Sequence, residues 1–291
     1  MMRPHSQQGF TLVEMVMVIV ITGIIGGMVA VFIRTPVQQY MDVARRADMT
    51  DTADTALRRI GRDVRLALPN SVRVSGACGG AGTTCFIEFL PTKGGGRYRA
   101  GIETSGPPSA GCGSLALDVL DFSAADTCFE VLGAMPPGLV AGDRVVVYNQ
   151  GTGTGADAYT ANTTNDNTGA YLSNTAATIT ISPGKLFPLA SPSSRFQVIS
   201  TPVSYVCDGA GALWRYWGYA IQPAQPATIA ILNGLAGVLS ARIANNVGMC
   251  NFSYQANVVA ERSGLVTMNL ALTNSGETVT LYSATHVSNV P

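Results

Sequence analysis

The sequence has little charge and none of the motifs that mark common enzyme classes. Only 12% of its 291 residues are charged, and 18 basic residues balance 18 acidic ones. Nucleic-acid-binding proteins usually carry a basic surface, so this balance argues against such a partner. GxSxG, HExxH, P-loop and dinucleotide fingerprints are absent, and neither His5 nor His286 has a recognisable catalytic partner. We therefore expect no enzymatic activity, no cofactor and no nucleic-acid partner.

The six cysteines lack the spacing of a metal site. They form no CxxC pair and no Cys/His zinc pattern, so we expect no metal there. In an oxidising compartment an even number of cysteines suits disulfides. Proximity in the sequence favours three pairs, although other pairings remain open: Cys78 with Cys85, Cys112 with Cys128, and Cys207 with Cys250.

A long apolar run near the N-terminus is the strongest pattern in the sequence. The run from Phe10 to Ile33 has one ionisable side chain, Glu14, and is long enough to cross a bilayer as a helix. A removed signal peptide has a shorter apolar core of about 7 to 15 residues. An unpaired carboxylate deep in hydrocarbon costs on the order of several kcal/mol. We therefore expect a retained anchor in which Glu14 has a partner.

Proteolysis between Gly9 and Phe10 would supply that partner. The cut creates an ammonium group four residues before Glu14, on the same helical face. In a packed filament the Glu14 carboxylate would pair with the Phe10 amine of a neighbouring subunit. Such a pair would provide both attraction and register.

The segment from Gly9 to Glu14 reads GFTLVE and follows a short polar leader that contains Arg3. It resembles the class III prepilin signal of type IV pilins and pseudopilins. The resemblance implies that a prepilin peptidase cuts after Gly9 and methylates the amine of Phe10, and that Glu14 serves subunit assembly. The implied partners are other major and minor pilins, the prepilin peptidase and an inner-membrane assembly platform.

The two indications of membrane orientation disagree. Arg34, Arg45 and Arg46 follow the apolar run while Arg3 alone precedes it, and a positive-inside count would place the C-terminal part in the cytoplasm. We give more weight to the cysteines and to the leader. They predict a single pass through the inner membrane with residues 1–9 inside and a periplasmic head, followed by incorporation into a pilus or pseudopilus filament, or exposure at the cell surface.

After the apolar run, hydrophobic residues recur at three- and four-residue steps from Val37 to Val64, which predicts an amphipathic helix. Pro36 is expected to bend or open the helix near Phe32, and Pro69 to end it near Leu68. A continuous helix from Phe10 to Leu68 would measure roughly 88 Å. Its charged face is expected to be solvated, with ion pairs between Asp54 and Arg58 and between Arg59 and Asp63.

Beyond Pro69 the pattern changes to short β-like runs between Gly, Pro and Asn. The expected strands are 85–90, 128–132, 144–148, 178–181, 196–199, 203–207, 213–217, 250–254, 265–272 and 277–282. A hairpin turn is predicted at Thr273–Gly276, with Val266, Met268, Leu270 and Leu272 on its buried face. The prediction is an α+β fold, in which a long N-terminal helix packs on a mostly antiparallel β-rich head: leader 1–9, transmembrane half 10–33, amphipathic half 34–68 and head 69–291.

Two further segments of the head are candidates for binding. The stretch 149–174 has no sustained period and is expected to be a long exposed loop or a poorly ordered insertion, in which Asp157, Asn165, Asp166 and Asn167 offer weak support for calcium. The aromatic segment 214–219 suits either a contact surface or core packing, and core packing is favoured.

Several short segments resemble the O-type minor pilins of mannose-sensitive haemagglutinin (MSHA) pili. They are 67–74, 85–91, 95–98, 202–208 and the closing HVSNVP. The resemblance implies a role in initiating, assembling or capping a type IV pilus. A J-type minor pseudopilin of a type II secretion system, a tip adhesin and an unrelated membrane-tethered periplasmic binding protein are the alternatives.

Overall fold

A computed structural model describes residues 9–101, 112, 118–160, 163–259 and 263–291. The chain divides into two compact units, Met1–Met49 and Thr50–Pro291. Most of the expected leader, residues 1–8, lies outside the described residues. The long helix α1 spans Leu12–Val64 and continues through Pro36, so the opening expected near Phe32 does not interrupt it.

Helix α1 ends four residues earlier than Pro69 suggested. After Val64 the chain makes two tighter turns, in which the amides of Leu66 and Ala67 donate to the carbonyls of Asp63 (3.1 Å) and Val64 (3.0 Å). The amide of Leu68 then donates to the carbonyl of Leu90 at 2.7 Å. The helix therefore ends where the backbone begins to pair with the sheet.

The described part of the head is built from antiparallel strands in three groups. A five-stranded sheet has the order β1-β2-β9-β10-β11, a three-stranded sheet has the order β12-β13-β14, and a closed barrel has the order β3-β4-β7-β6-β5-β8. The strands are β1 Arg73–Gly76, β2 Thr84–Phe89, β3 Thr92–Tyr98, β4 Asp126–Leu132, β5 Arg144–Val147, β6 Thr168–Asn174, β7 Thr178–Lys185, β8 Arg195–Ile199, β9 Val203–Asp208, β10 Ala212–Trp217, β11 Leu239–Asn245, β12 Val247–Val259, β13 Ser263–Asn274 and β14 Glu277–Ser288; a short helix, α2, spans Ile229–Asn233. The α+β prediction, a long helix with antiparallel β-sheets, is confirmed.

The second half of α1 buries its apolar stripe in the unit Thr50–Pro291. Ala53, Ala56, Leu57, Ile60 and Val64 are all buried, as the periodicity predicted. A side chain at Gly61 would place its Cβ 2.9 Å from the Oγ1 of Thr285 on β14, so glycine permits the close approach of helix and sheet at this point.

The charged face of the helix differs in part from the prediction. Asp54 pairs with Arg58 as expected, at 2.7 Å. The predicted pair between Arg59 and Asp63 is wrong, because the Oδ2 of Asp63 accepts hydrogen bonds from the hydroxyl of Tyr205 (2.7 Å) and the Nε of Arg215 (3.0 Å). Asp63 therefore connects the helix to β9 and β10 and does not belong to the solvated face.

The stretch 149–174 is not a long exposed loop. Its last residues form strand β6 of the barrel, and Ala156, Ala158 and Tyr159 are buried. The hydroxyl of Tyr159 donates to the carbonyl of Ser71 at 2.9 Å. The polar composition of the stretch concealed this buried structure. Its buried Asp and Asn side chains form hydrogen bonds with backbone amides and carbonyls, which in a structureless loop would bond to water.

The closing hairpin and the cysteines follow the sequence expectations. Asn274 pairs with Glu277, and Ser275 and Gly276 have φ values of 52° and 83°, as a type I′ turn requires. All four predicted side chains on its inner face are buried. The structure joins the cysteines in the three pairs that proximity favours: Cys78 with Cys85, Cys112 with Cys128, and Cys207 with Cys250.

Candidate processing and assembly site

The first turn of α1 contains a capping box made by Thr11 and Glu14. The Oγ1 of Thr11 accepts a hydrogen bond from the Glu14 amide at 3.3 Å. In return, the Oε2 of Glu14 accepts from both the amide and the hydroxyl of Thr11, each at 3.0 Å. This reciprocal arrangement satisfies backbone donors that a helix N-terminus otherwise leaves unpaired.

The capping box changes the interpretation of Glu14. Sequence reasoning treated its carboxylate as unpaired until proteolysis creates an amine, whereas the structure gives it a local partner in Thr11. Thr11 is the functional residue that the sequence analysis missed. The signal was present, since a Thr followed three residues later by Glu at the start of an apolar run is the T-x-x-E signature of a capping box.

Gly9 and Phe10 precede the helix and are open to solvent. The Phe10 side chain is 86% exposed, and a Cβ built on Gly9 would meet no atom of the described residues within 4 Å. The peptide bond between them therefore lies in accessible chain just before a capped helix. Such a bond suits a protease that must thread the backbone through its active site.

The helix that follows this bond is apolar on all sides and unburied. Among the described residues it is the one helix long and apolar enough to cross a membrane. Large side chains all round its first half are exposed, from Leu12 at 80% to Phe32 at 83%. A helix that is apolar on every face needs lipid or other helices around it.

The tryptophans of the aromatic segment 214–219 contact neighbouring side chains of the sheet. The Nε1 of Trp214 donates to Asp208 at 3.0 Å, and the guanidinium of Arg215 lies 4.9 Å from the ring centre of Trp217. Both tryptophans are therefore held by neighbours within the sheet, which agrees with the favoured packing role.

The residues considered for calcium are used as local hydrogen-bond acceptors. The Oδ1 of Asp157 accepts from the amide of Tyr159 at 2.9 Å, and the Oδ1 of Asp166 accepts from the amide and hydroxyl of Thr168. Within the described ranges, the side chains close enough to hold a metal ion are those of Cys112, Asp118 and Cys128, and the two sulfurs are joined in a disulfide.

A buried ion pair that the sequence did not reveal lies inside the head. The Oε1 of Glu88 accepts from Arg73 at 3.0 and 2.5 Å, and its Oε2 accepts from Ser204 (3.2 Å) and Tyr219 (3.1 Å). Burial raises the pKa of Glu88 despite the opposing charge of Arg73. Because protein groups satisfy both carboxylate oxygens, the network stabilises the five-stranded sheet and leaves no acceptor for a ligand.

Comparison with known proteins identifies the N-terminal segment. A family model described as the prokaryotic N-terminal methylation motif matches residues 4–30. No curated protein and no solved structure matches the chain. An N-terminal methylation signal that leads into an exposed apolar helix fits a subunit anchored in a membrane.

The motif also bears on the class of subunit. It supports a type IV pilin-like or pseudopilin-like subunit. The same motif implies processing by a prepilin peptidase and assembly with other pilins.

Proposed function

We propose that this chain is a minor subunit of a type IV pilus of the MSHA type, which takes part in assembly, initiation or capping of the filament and performs no chemistry of its own. The observation that carries the pilin-like role is the methylation motif placed at the capped start of a helix whose apolar first half is exposed. The segments that resemble O-type minor pilins support the finer assignment.

The proposed processing step is cleavage after Gly9 followed by methylation of Phe10. Replacing Gly9 with leucine should abolish cleavage, and Gly9→Ala serves as the control because it adds the smallest side chain. Nothing lies within 4 Å of a Cβ at Gly9, so neither substitution disturbs the helix. Mass spectrometry of the N-terminal peptide from cells measures the result. Normal removal of the leader from Gly9→Leu would exclude the proposed cleavage site.

Glu14 is the proposed assembly residue. Its Oε2 is occupied by Thr11, whereas its Oε1 accepts no hydrogen bond from the described residues. The amine of a neighbouring Phe10 would bind Oε1 without breaking the capping box. In the apolar setting of packed helices, that ion pair would favour the register in which both charges are satisfied.

Two substitutions separate the charge of Glu14 from its capping role. Glu14→Gln keeps an oxygen acceptor for Thr11 and removes the charge, while Glu14→Val removes both. We expect both variants to insert into the membrane and both to lose co-purification with partner subunits. Thr11→Val is the control that weakens the cap and keeps the charge. Partner recovery from Glu14→Gln at the wild-type level would refute the charge-pairing role.

A J-type minor pseudopilin is the second candidate, because the motif, the long helix and the β-rich head suit it equally. Co-purification from membranes decides between them. Recovery of MSHA-type pilus subunits, or genes for them beside this one, supports the pilus assignment. Recovery of type II secretion subunits instead overturns it.

We further propose that the head is periplasmic. The three disulfides support this, since such bonds persist in oxidising compartments. An added protease should digest the head in spheroplasts, whereas in whole cells the head should stay intact. Protection of the head in spheroplasts would reverse the proposed orientation.

A further inference from the structure

A groove lined by arginines lies between the end of α1 and the outer strand of the three-stranded sheet. It has a volume of about 610 Å³. Helix α1 contributes Arg58, Arg59 and Arg62 to it, the turn that follows the helix contributes Arg65, and β14 contributes Ser283, Ala284 and Thr285. All of these residues belong to the unit Thr50–Pro291.

Three of these arginines have no carboxylate partner among the residues that the structure describes. Arg58 is paired with Asp54. Arg59, Arg62 and Arg65 are exposed and form no ion pair with a described residue, and the neighbouring Asp63 is bound to Arg215. Three neighbouring cations at the end of α1 and in the turn after it repel one another, and the repulsion is relieved when an anion binds.

The opposite wall of the groove is a sheet edge. Strand β14 runs from Glu277 to Ser288 and pairs with β13 alone. Its outer side therefore presents backbone N–H and C=O groups that no strand in the described structure uses. A long edge of this kind is a template for an added strand.

We propose that this groove binds an extended acidic segment of another protein subunit, which adds a strand to β14 and places its carboxylates against Arg59, Arg62 and Arg65. Alternate side chains on a strand are about 6.8 Å apart, and the arginines rise about 4.5 Å per step along the helix. Long guanidinium side chains can accommodate that difference.

The geometry favours a polypeptide over a nucleic acid. A nucleic acid would use the cations and leave the backbone groups of β14 unpaired, whereas an extended chain uses both walls. The protein also carries no net charge, with 18 basic and 18 acidic residues, and thus lacks the broad positive field that usually attracts nucleic acid.

The first test measures binding of a labelled ten-residue peptide, alternating Glu with Thr, to the full-length protein in detergent by fluorescence anisotropy. Arg59→Gln/Arg62→Gln should weaken binding about tenfold, from two partly solvated ion pairs. The control is Arg97→Gln/Arg195→Gln, which makes the same charge change on two exposed, mutually paired barrel residues. Absence of peptide binding, or equal weakening by both variants, would overturn the proposal.

A second test examines the strand addition. A peptide of the same sequence with alternate N-methylated amides keeps its charge and loses one hydrogen-bonding edge, so its binding should fall about tenfold or more. A single-stranded oligonucleotide should bind more weakly than the acidic peptide. Equal binding of the methylated peptide, or tighter binding of the oligonucleotide, would make the groove a general polyanion site and refute the proposal. Because the isolated protein is used, neither result depends on filament assembly.

Discussion

Replacing Asp63 with alanine tests how the helix is fastened to the head. One oxygen of Asp63 accepts hydrogen bonds from Tyr205 at 2.7 Å and from Arg215 at 3.0 Å. Hydrogen bonds to a charged group contribute about 1.5–3 kcal/mol each. The Asp63 and Arg215 side chains retain 22% and 19% exposure, so water recovers part of that loss. We expect Asp63→Ala to lower the free energy of unfolding of the head by about 2–4 kcal/mol.

Urea unfolding of the full-length protein in detergent, followed by tryptophan fluorescence, measures this change. Both tryptophans, Trp214 and Trp217, lie on β10 beside Arg215, so the signal reports on the strand that Asp63 binds. Asp54→Ala is the matched control, because its partner Arg58 is 80% exposed and the pair joins only adjacent turns of one helix. An equal midpoint shift for the two variants would show that Asp63 behaves as an ordinary surface residue and would refute the reasoning.

Three further outcomes follow from the packing of the head. Cys207→Ala/Cys250→Ala should lower stability by about 2–4 kcal/mol in the same urea assay, because the bond closes a loop of 43 residues between two sheets; an unchanged midpoint would contradict this. Gly61→Leu should lower stability by about 1–3 kcal/mol, with part restored by Thr285→Ala, and a lack of restoration would show that the clash lies elsewhere. Burial raises the pKa of Tyr159, Tyr205 and Tyr219. Their contribution to stability should therefore be complete below about pH 10 and be lost above it, because the phenols of the unfolded chain ionise first. Absorbance at 295 nm reports the ionised phenols, and stability that stays flat between about pH 9 and pH 11.5 would contradict this prediction.

Strong local patterns predicted much of the fold. The apolar periodicity of α1 predicted the buried residues of its C-terminal part, although Val37, Tyr40 and Met41 in the same pattern are exposed, and strict alternation with a Ser-Gly turn predicted the last hairpin. Strand β3 was missed because its Thr92–Tyr98 segment contains three consecutive glycines, which ordinarily weaken a strand. Here a side chain at Gly95 or Gly96 would collide with Phe196, at 2.7 and 2.9 Å, so the glycines allow the strands to close the barrel.

Long-range partners could not be read from the sequence. Local spacing favoured Arg59 for Asp63, yet Tyr205 and Arg215, far along the chain, are its partners. Propensity and helical spacing report only on neighbours within a few residues. The same limit concealed the pairing of Arg73 with Glu88 and the arginine groove beside β14.

In the candidate site, too, local features could be predicted from the sequence. Gly9, Phe10 and Glu14 were predicted because a processing signal is a contiguous string of residues. The capping role of Thr11 was equally local and could have been predicted from the same string. The predicted pairing of Glu14 with a neighbouring amine concerns a second copy of the chain and stays a prediction.

The junction after α1 has a mechanical consequence. The amide of Leu68 donates to Leu90 and the amide of Thr92 donates to the carbonyl of Leu66, both at 2.7 Å. A pulling force applied along the helix would pass through the covalent chain into β1 of the five-stranded sheet, and these two bonds would carry part of it into the corner between β2 and β3, next to the barrel. The head would share tension between two frameworks, and a single strand would not have to bear the whole load.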